Sequence, residues 1–176
     1  MVPTVADPTS IPTNNAQPWR RTLALIALRV AAVLWFVWGV FHVIVGITVI
    51  QLLAGEHPEG TLSSVPAAVD VEFFGTNSTF AIIASLQQNG FNLAWFGLIV
   101  TIASVFVWRV CKLAVVTSIV VGGLADLGYF LYVDLPGYAE PPGPQMTYIM
   151  VAAIGLSVYA YFTSDRFAII QAPKAK

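Results

Sequence analysis

Two ionisable side chains stand inside runs that are otherwise almost purely apolar: His42 in LWFVWGVFHVIVGITVI and Asp126 in LAVVTSIVVGGLADLGYFLYV. An imidazole can exchange a proton near neutral pH, bind a metal or hold a hydrogen bond. A carboxyl group in hydrocarbon is costly and normally faces a bundle interior or a water cavity. Three chemistries therefore compete for His42: a structural hydrogen bond between helices, ligand or proton handling, and metal or haem ligation. The structural bond ranks first and iron last, because bis-histidine haem needs two buried histidines and only His42 qualifies. For Asp126 the functional and the structural reading stand level.

On a helix, Trp35, Trp38, Gly39, His42 and Gly46 share one stripe. Glycines on such a stripe let a neighbouring helix approach closely, so His42 is expected to face the bundle. A matching stripe holds Ser118, Gly122, Asp126 and Tyr129. At 1.5 Å per residue, Asp126 sits about 10 Å and His42 about 16 Å inside the outer ends of their helices. Tilt bridges that difference, so a His42–Asp126 pair is expected, direct or through water. Asn92 is the alternative partner for His42. Gln88, Asn92 and Trp95 share a face of another apolar run. If that face also points inward, His42, Asn92, Asp126 and Tyr129, with Gln88 and Trp38, form a ligand-binding site in the outer half of the bundle. The bland reading makes Asn92 and Gln88 cap or interface residues and the tryptophans packing or interfacial anchors.

These residues need a bilayer to position them. Of 176 residues, 57% are hydrophobic and only 10% are charged, against roughly 25% charged in an ordinary soluble domain. Four apolar runs follow one another, at about 23–53, 91–108, 113–133 and 146–162; a span needs about 20 residues. Arg29 lies inside the first, near its start, and is expected to snorkel to the headgroups. Arg20, Arg21, Arg109, Lys112, Arg166, Lys174 and Lys176 all fall on one side of this arrangement, while 54–90 and 134–145 hold no Lys or Arg. The positive-inside rule then places both termini in the cytoplasm. The expected fold is an all-α integral membrane protein, four antiparallel transmembrane helices running up-down-up-down. The transmembrane domain spans 20–166, between a disordered cytoplasmic tail at 1–19 and a second cytoplasmic tail at 167–176.

The first external loop is too long for a plain connection. Within it STFAIIASLQQ is helix-capable but too short to span. Residues 79–88 are expected to form a short interfacial helix, ended by the turn signal Asn89-Gly90; the other possibility is an outward extension of the second span. The second loop, DLPGYAEPPGPQ, reads as rigid. His57 reads as solvated, and Glu56, His57 and Glu59 form at best a weak cation site. Asn77-Ser78-Thr79 matches a glycosylation sequon, which matters only in a eukaryotic host.

Several chemistries drop out. A net charge of −1 gives no reason to expect nucleic acid. The single cysteine, Cys111, excludes an intrachain disulfide and reads as unreactive. There is no Gly-rich phosphate loop, no His-Glu-x-x-His and no Gly-x-Ser-x-Gly elbow. No metal or cofactor is expected. In span number, size and cytoplasmic termini the layout resembles small four-span bacterial membrane proteins such as the DoxX-like group. No motif matches residue by residue, so the resemblance implies no activity.

Three function classes remain, in this order. The first is a binding or accessory protein of the bacterial cytoplasmic (inner) membrane, accepting an apolar or amphipathic molecule such as a lipid or quinone. The second is a structural subunit of a larger membrane complex. The third is an enzyme or proton-coupled carrier using His42 and Asp126. The expected partners are the lipid bilayer, that small molecule, and further copies or other membrane subunits. Whether the chain is an enzyme is left open.

Overall fold

The computed structural model describes residues 18–54, 75–138 and 141–163. They are mostly helical, with no strand among them: α1 (Pro18–Leu53), α2 (Gly75–Trp108), α3 (Lys112–Tyr129), a π-helical turn (Phe130–Asp134) and α4 (Gly143–Thr163). Among the described residues four stretches are long and apolar enough to cross a membrane: Trp19–Leu53, Ala81–Trp108, Lys112–Asp134 and Gly143–Thr163. This is the make-up of a small polytopic membrane protein. The exterior agrees, since large apolar side chains such as Phe162, Leu113 and Leu124 are exposed on it, where lipid rather than water suits them.

Glycine decides how α1 and α2 meet. A Cβ on Gly97 would lie 2.5 Å from the Gly39 carbonyl oxygen, and one on Gly90 would lie 2.9 Å from that of Gly46. Only hydrogen fits such backbone-to-backbone contacts, so the two helices touch along a seam of small residues. Three layers of side chains fill the interior. Leu28, Ala32, Val107, Val115 and Ala160 form one. Trp35, Trp38, Val100, Met150 and Ala153 form the next. Val49, Leu53 and Ile83 form the third, between α1 and α2 alone. At the first layer's end the cations find rings: Arg29 lies 5.3 Å over Trp108 and Lys112 lies 5.0 Å over Tyr161.

Two helix ends use the same device. After α2, Val110 N–H donates to Val107 and Cys111 N–H to Phe106. After the π turn, Gly137 N–H donates to Asp134 and Tyr138 N–H to Val133. Both are the paired bonds of a Schellman ending, whose turning residue needs positive φ. Val110 has φ 63 and Gly137 has φ 84.

Three expectations change. The segment 79–88 is not a helix of its own; it is the opening of α2, which runs unbroken from Gly75. Asn89-Gly90 makes no turn there, because Gly90 is spent on close approach to α1. The first helix begins at Pro18, inside the expected 1–19 tail, with proline at a helix start where its missing N–H costs nothing. The third run ends in the π turn rather than as α-helix. The 1–17 tail, the 167–176 tail, and Glu56, His57 and Glu59 lie outside the described residues.

Candidate functional site

The stripes on α1 and α3 meet. Trp35, Trp38, Gly39, His42 and Gly46 are all buried, and so are Ser118, Gly122 and Asp126. Gly122 makes room for the Trp35 ring, which a Cβ there would approach to 2.5 Å. The expected pair forms: His42 Nε2 lies 3.3 Å from Asp126 Oδ1. His42 is 8% exposed and Asp126 3%, so each needs the other's compensation.

Trp38 completes the unit. Its indole Nε1 donates to Asp126 Oδ2 at 2.7 Å. Its ring stacks on the His42 imidazole, with centroids 3.8 Å apart. His42 Nδ1 lies 2.8 Å from the Trp38 carbonyl oxygen, one turn back. These contacts bear on the tautomer of the ring. A carbonyl oxygen only accepts, so Nδ1 must carry a proton. A neutral ring then has a bare lone pair at Nε2, aimed at Asp126 Oδ1, and two lone pairs at this distance repel. One further proton between Nε2 and Oδ1 removes the repulsion. With that proton the pair is imidazolium with carboxylate, or imidazole with carboxylic acid.

The other expected site residues separate. Tyr129 is half-buried, one turn beyond Asp126, with its hydroxyl against Gly143 of α4. Gln88 is exposed, and the partly buried Asn92 accepts from Trp95 Nε1 at 3.1 Å on an exposed face. Neither Gln88 nor Asn92 is brought into the Trp38–His42–Asp126 unit. The reason is the Gly90–Gly97 seam, which takes the α1-facing side of α2 and turns residues 88, 92 and 95 away. The neighbouring Gln87 is the one that turns inward, its Nε2 donating to the Leu53 carbonyl at 3.1 Å.

Contacts not expected from sequence also form. Trp35 Nε1 donates to the fully buried Ser157 Oγ at 3.1 Å, tying α1 to α4. Thr147 Oγ1 donates to Asp134 Oδ2 at 2.7 Å. Asp134 Oδ1 and Ser118 Oγ are buried atoms with no hydrogen-bond partner among the described residues. The sequence reads Asp134 as loop, because the run of apolar residues stops there. An open apolar groove of about 410 Å³ lies elsewhere, lined by Ile99, Ile102, Phe106 and Leu113; it includes none of the expected site residues. Among the described residues no three His, Cys, Asp or Glu side chains gather to hold a metal.

Fold and site together define a class: a small helical membrane protein with a buried histidine–carboxylate pair locked by tryptophan. Comparison with known protein families, with curated proteins and with solved structures finds no match.

Proposed function

We propose that this chain is a small accessory protein of the bacterial cytoplasmic membrane that holds an exchangeable proton between His42 and Asp126. The four helices run up-down-up-down with both termini in the cytoplasm. The order of the glycine contacts supports that arrangement, since Gly39 meets Gly97 and the later Gly46 meets the earlier Gly90. The sidedness rests on the absence of Lys and Arg from 54–90 and 134–145. In this orientation the pair sits in the outer half of the bundle.

The observation that carries the proton reading is the contact of His42 Nδ1 with the Trp38 carbonyl. It supports a reading in which the Nε2–Oδ1 contact is bridged by a proton. Nitrogen-15 NMR of histidine-labelled protein, with His57→Gln to leave one ring, tests it. The expected spectrum has Nδ1 protonated and Nε2 either protonated or strongly hydrogen-bonded. A neutral ring protonated at Nε2 alone defeats the reading.

The closed packing favours a second reading, a structural subunit in which the pair only fixes helix register. Replacing both His42 and Asp126 by leucine separates the two: a structural pair is dispensable once the bundle folds, and a functional one is not. An apolar or amphipathic ligand such as a lipid or quinone fits the rim, where Tyr129, Asn92 and Gln88 are more accessible, better than the pair itself, whose four polar atoms are already engaged. Cysteine labelling tests the topology, in a Cys111→Ser background. An impermeant reagent should reach a cysteine at position 60 or 140 in intact cells and one at position 170 only after lysis; the reverse pattern defeats it.

A further inference from the structure

The turn between α2 and α3 stands at the foot of the open apolar groove of about 410 Å³. Ile99, Ile102 and Phe106 of α2 line one wall, and Leu113 and Thr117 of α3 line the other. Ile99, Ile102, Phe106 and Leu113 are all exposed, so a bilayer component must cover them. The depth of the groove is informative. Ile99 stands nine residues before Trp108, the last residue of α2, so the groove climbs about 14 Å from that helix end. Half of the bilayer hydrocarbon is about 15 Å thick. The groove therefore has the depth of one leaflet.

The cations at this end of the bundle are not equivalent. Arg20, Arg29 and Lys112 each lie over an aromatic ring, those of Trp19, Trp108 and Tyr161. Arg109 is exposed and makes no hydrogen bond, ion pair or ring contact among the described residues. The carboxylates among those residues are Asp126 and Asp134, and both lie toward the other end of α3. The Arg109 charge is therefore open to an anion at the mouth of the groove.

We propose that this groove binds one anionic phospholipid, with an acyl chain along the α2–α3 walls and its phosphodiester at Arg109. A guanidinium meets phosphate oxygens with paired N–H donors. On the proposed topology the site opens to the cytoplasmic leaflet, the one that carries anionic lipid. It is separate from the His42–Asp126 pair and independent of any proton held there. Two other occupants fit less well. A zwitterionic choline lipid fills the apolar walls equally but brings a cation of its own toward Arg109. A second copy meeting this one through the same face would set Arg109 beside its own counterpart, like charge against like.

The test is native mass spectrometry of the full chain in neutral detergent, titrated with dioleoyl phosphatidylglycerol or with dioleoyl phosphatidylcholine. One phosphatidylglycerol should bind roughly fivefold more tightly than phosphatidylcholine, the scale of one basic residue at an anionic headgroup. Arg109→Gln should abolish that preference and leave phosphatidylcholine binding unchanged. Arg20→Gln, an equal loss of charge on a helix that does not line the groove, should keep it. Thr117→Phe, which puts a ring into the groove from its partly buried wall, should weaken both lipids. Equal affinity for the two lipids in the unaltered chain overturns the proposal and leaves ordinary annular lipid. Equal loss of preference in Arg20→Gln and Arg109→Gln overturns it as a general charge effect. A dimer that forms at the expense of bound lipid and is broken by Thr117→Phe overturns it in favour of a second copy. If Thr117→Phe does not fold, Arg109→Gln decides alone, since it changes an exposed side chain.

Discussion

Val110 and Gly137 hold the same position in two copies of one helix-ending motif, and only one of them suits it. Both have positive φ, and both sit inside the paired backbone bonds that close a helix. Glycine takes that conformation freely, whereas a side chain there costs roughly 1–2 kcal/mol, and a β-branched one is a true outlier. Val110→Gly should therefore stabilise the protein by about 1 kcal/mol, and Gly137→Val should destabilise it by a similar amount. Reversible unfolding in mixed micelles reads both. A loss of stability in Val110→Gly contradicts the assignment.

The buried pair predicts a non-additive double-mutant cycle. Asp126→Leu alone leaves His42 and the Trp38 N–H facing an apolar group, and should cost about 3–5 kcal/mol. His42→Leu with Asp126→Leu removes both halves and should recover about 1–3 kcal/mol of that loss. Additive costs would mean the two side chains do not share their desolvation. The same micelle assay measures it.

The two tryptophans should differ under the same substitution. Trp38→Phe keeps a ring for stacking but removes the donor to a carboxylate, at about 1.5–3 kcal/mol. Trp35→Phe removes a donor to the Ser157 hydroxyl, a neutral bond worth about 0.5–1.5 kcal/mol. Both changes also shrink the ring, so the difference between them carries the comparison. Equal losses would mean that the Asp126 bond has no special strength.

Glycines should sort by contact rather than by position in a helix. Gly122→Ala drives a methyl group into Trp35, a fully buried ring, and should cost about 1–3 kcal/mol. Gly155 has open space where its Cβ would stand, so Gly155→Ala should be neutral or gain up to about 1 kcal/mol through helix propensity. Thermal melts of the two variants side by side check this, and matching losses would refute the packing.

The inward face of α1 was legible because an apolar span turns its exceptions inward. His42 and the glycines around it could not face lipid cheaply, and Asp126 obeyed the same logic on α3. That argument ranks residues by cost, so it works for a carboxylate and fails for amides. Gln87, Gln88 and Asn92 carry the same kind of group, and their face is decided by Gly90 and Gly97, whose role shows only when α1 is packed against them. Asn89-Gly90 misled for the same reason: a glycine reads alike whether it turns a chain or lets one pass. Asp134 reads as loop because the apolar run stops at it, and its bond to Thr147 shows only once α4 is packed beside it. Trp35–Ser157 joins residues 122 apart in sequence, and neither residue type announces the other.

The helices are unequal in length, and this has a consequence for where the molecule can live. α4 has 21 residues and the third span 23, so each is about 32–35 Å long and close to the thickness of bilayer hydrocarbon. α1 and α2 have 36 and 34 residues and are about 50–54 Å long. The shorter pair therefore sets the membrane thickness that the bundle matches without strain. The longer pair overhangs, and in a thicker bilayer it could stay immersed while α3 and α4 drew the surface inward around Asp134. A bilayer of mismatched thickness would act first on the shorter side of the bundle.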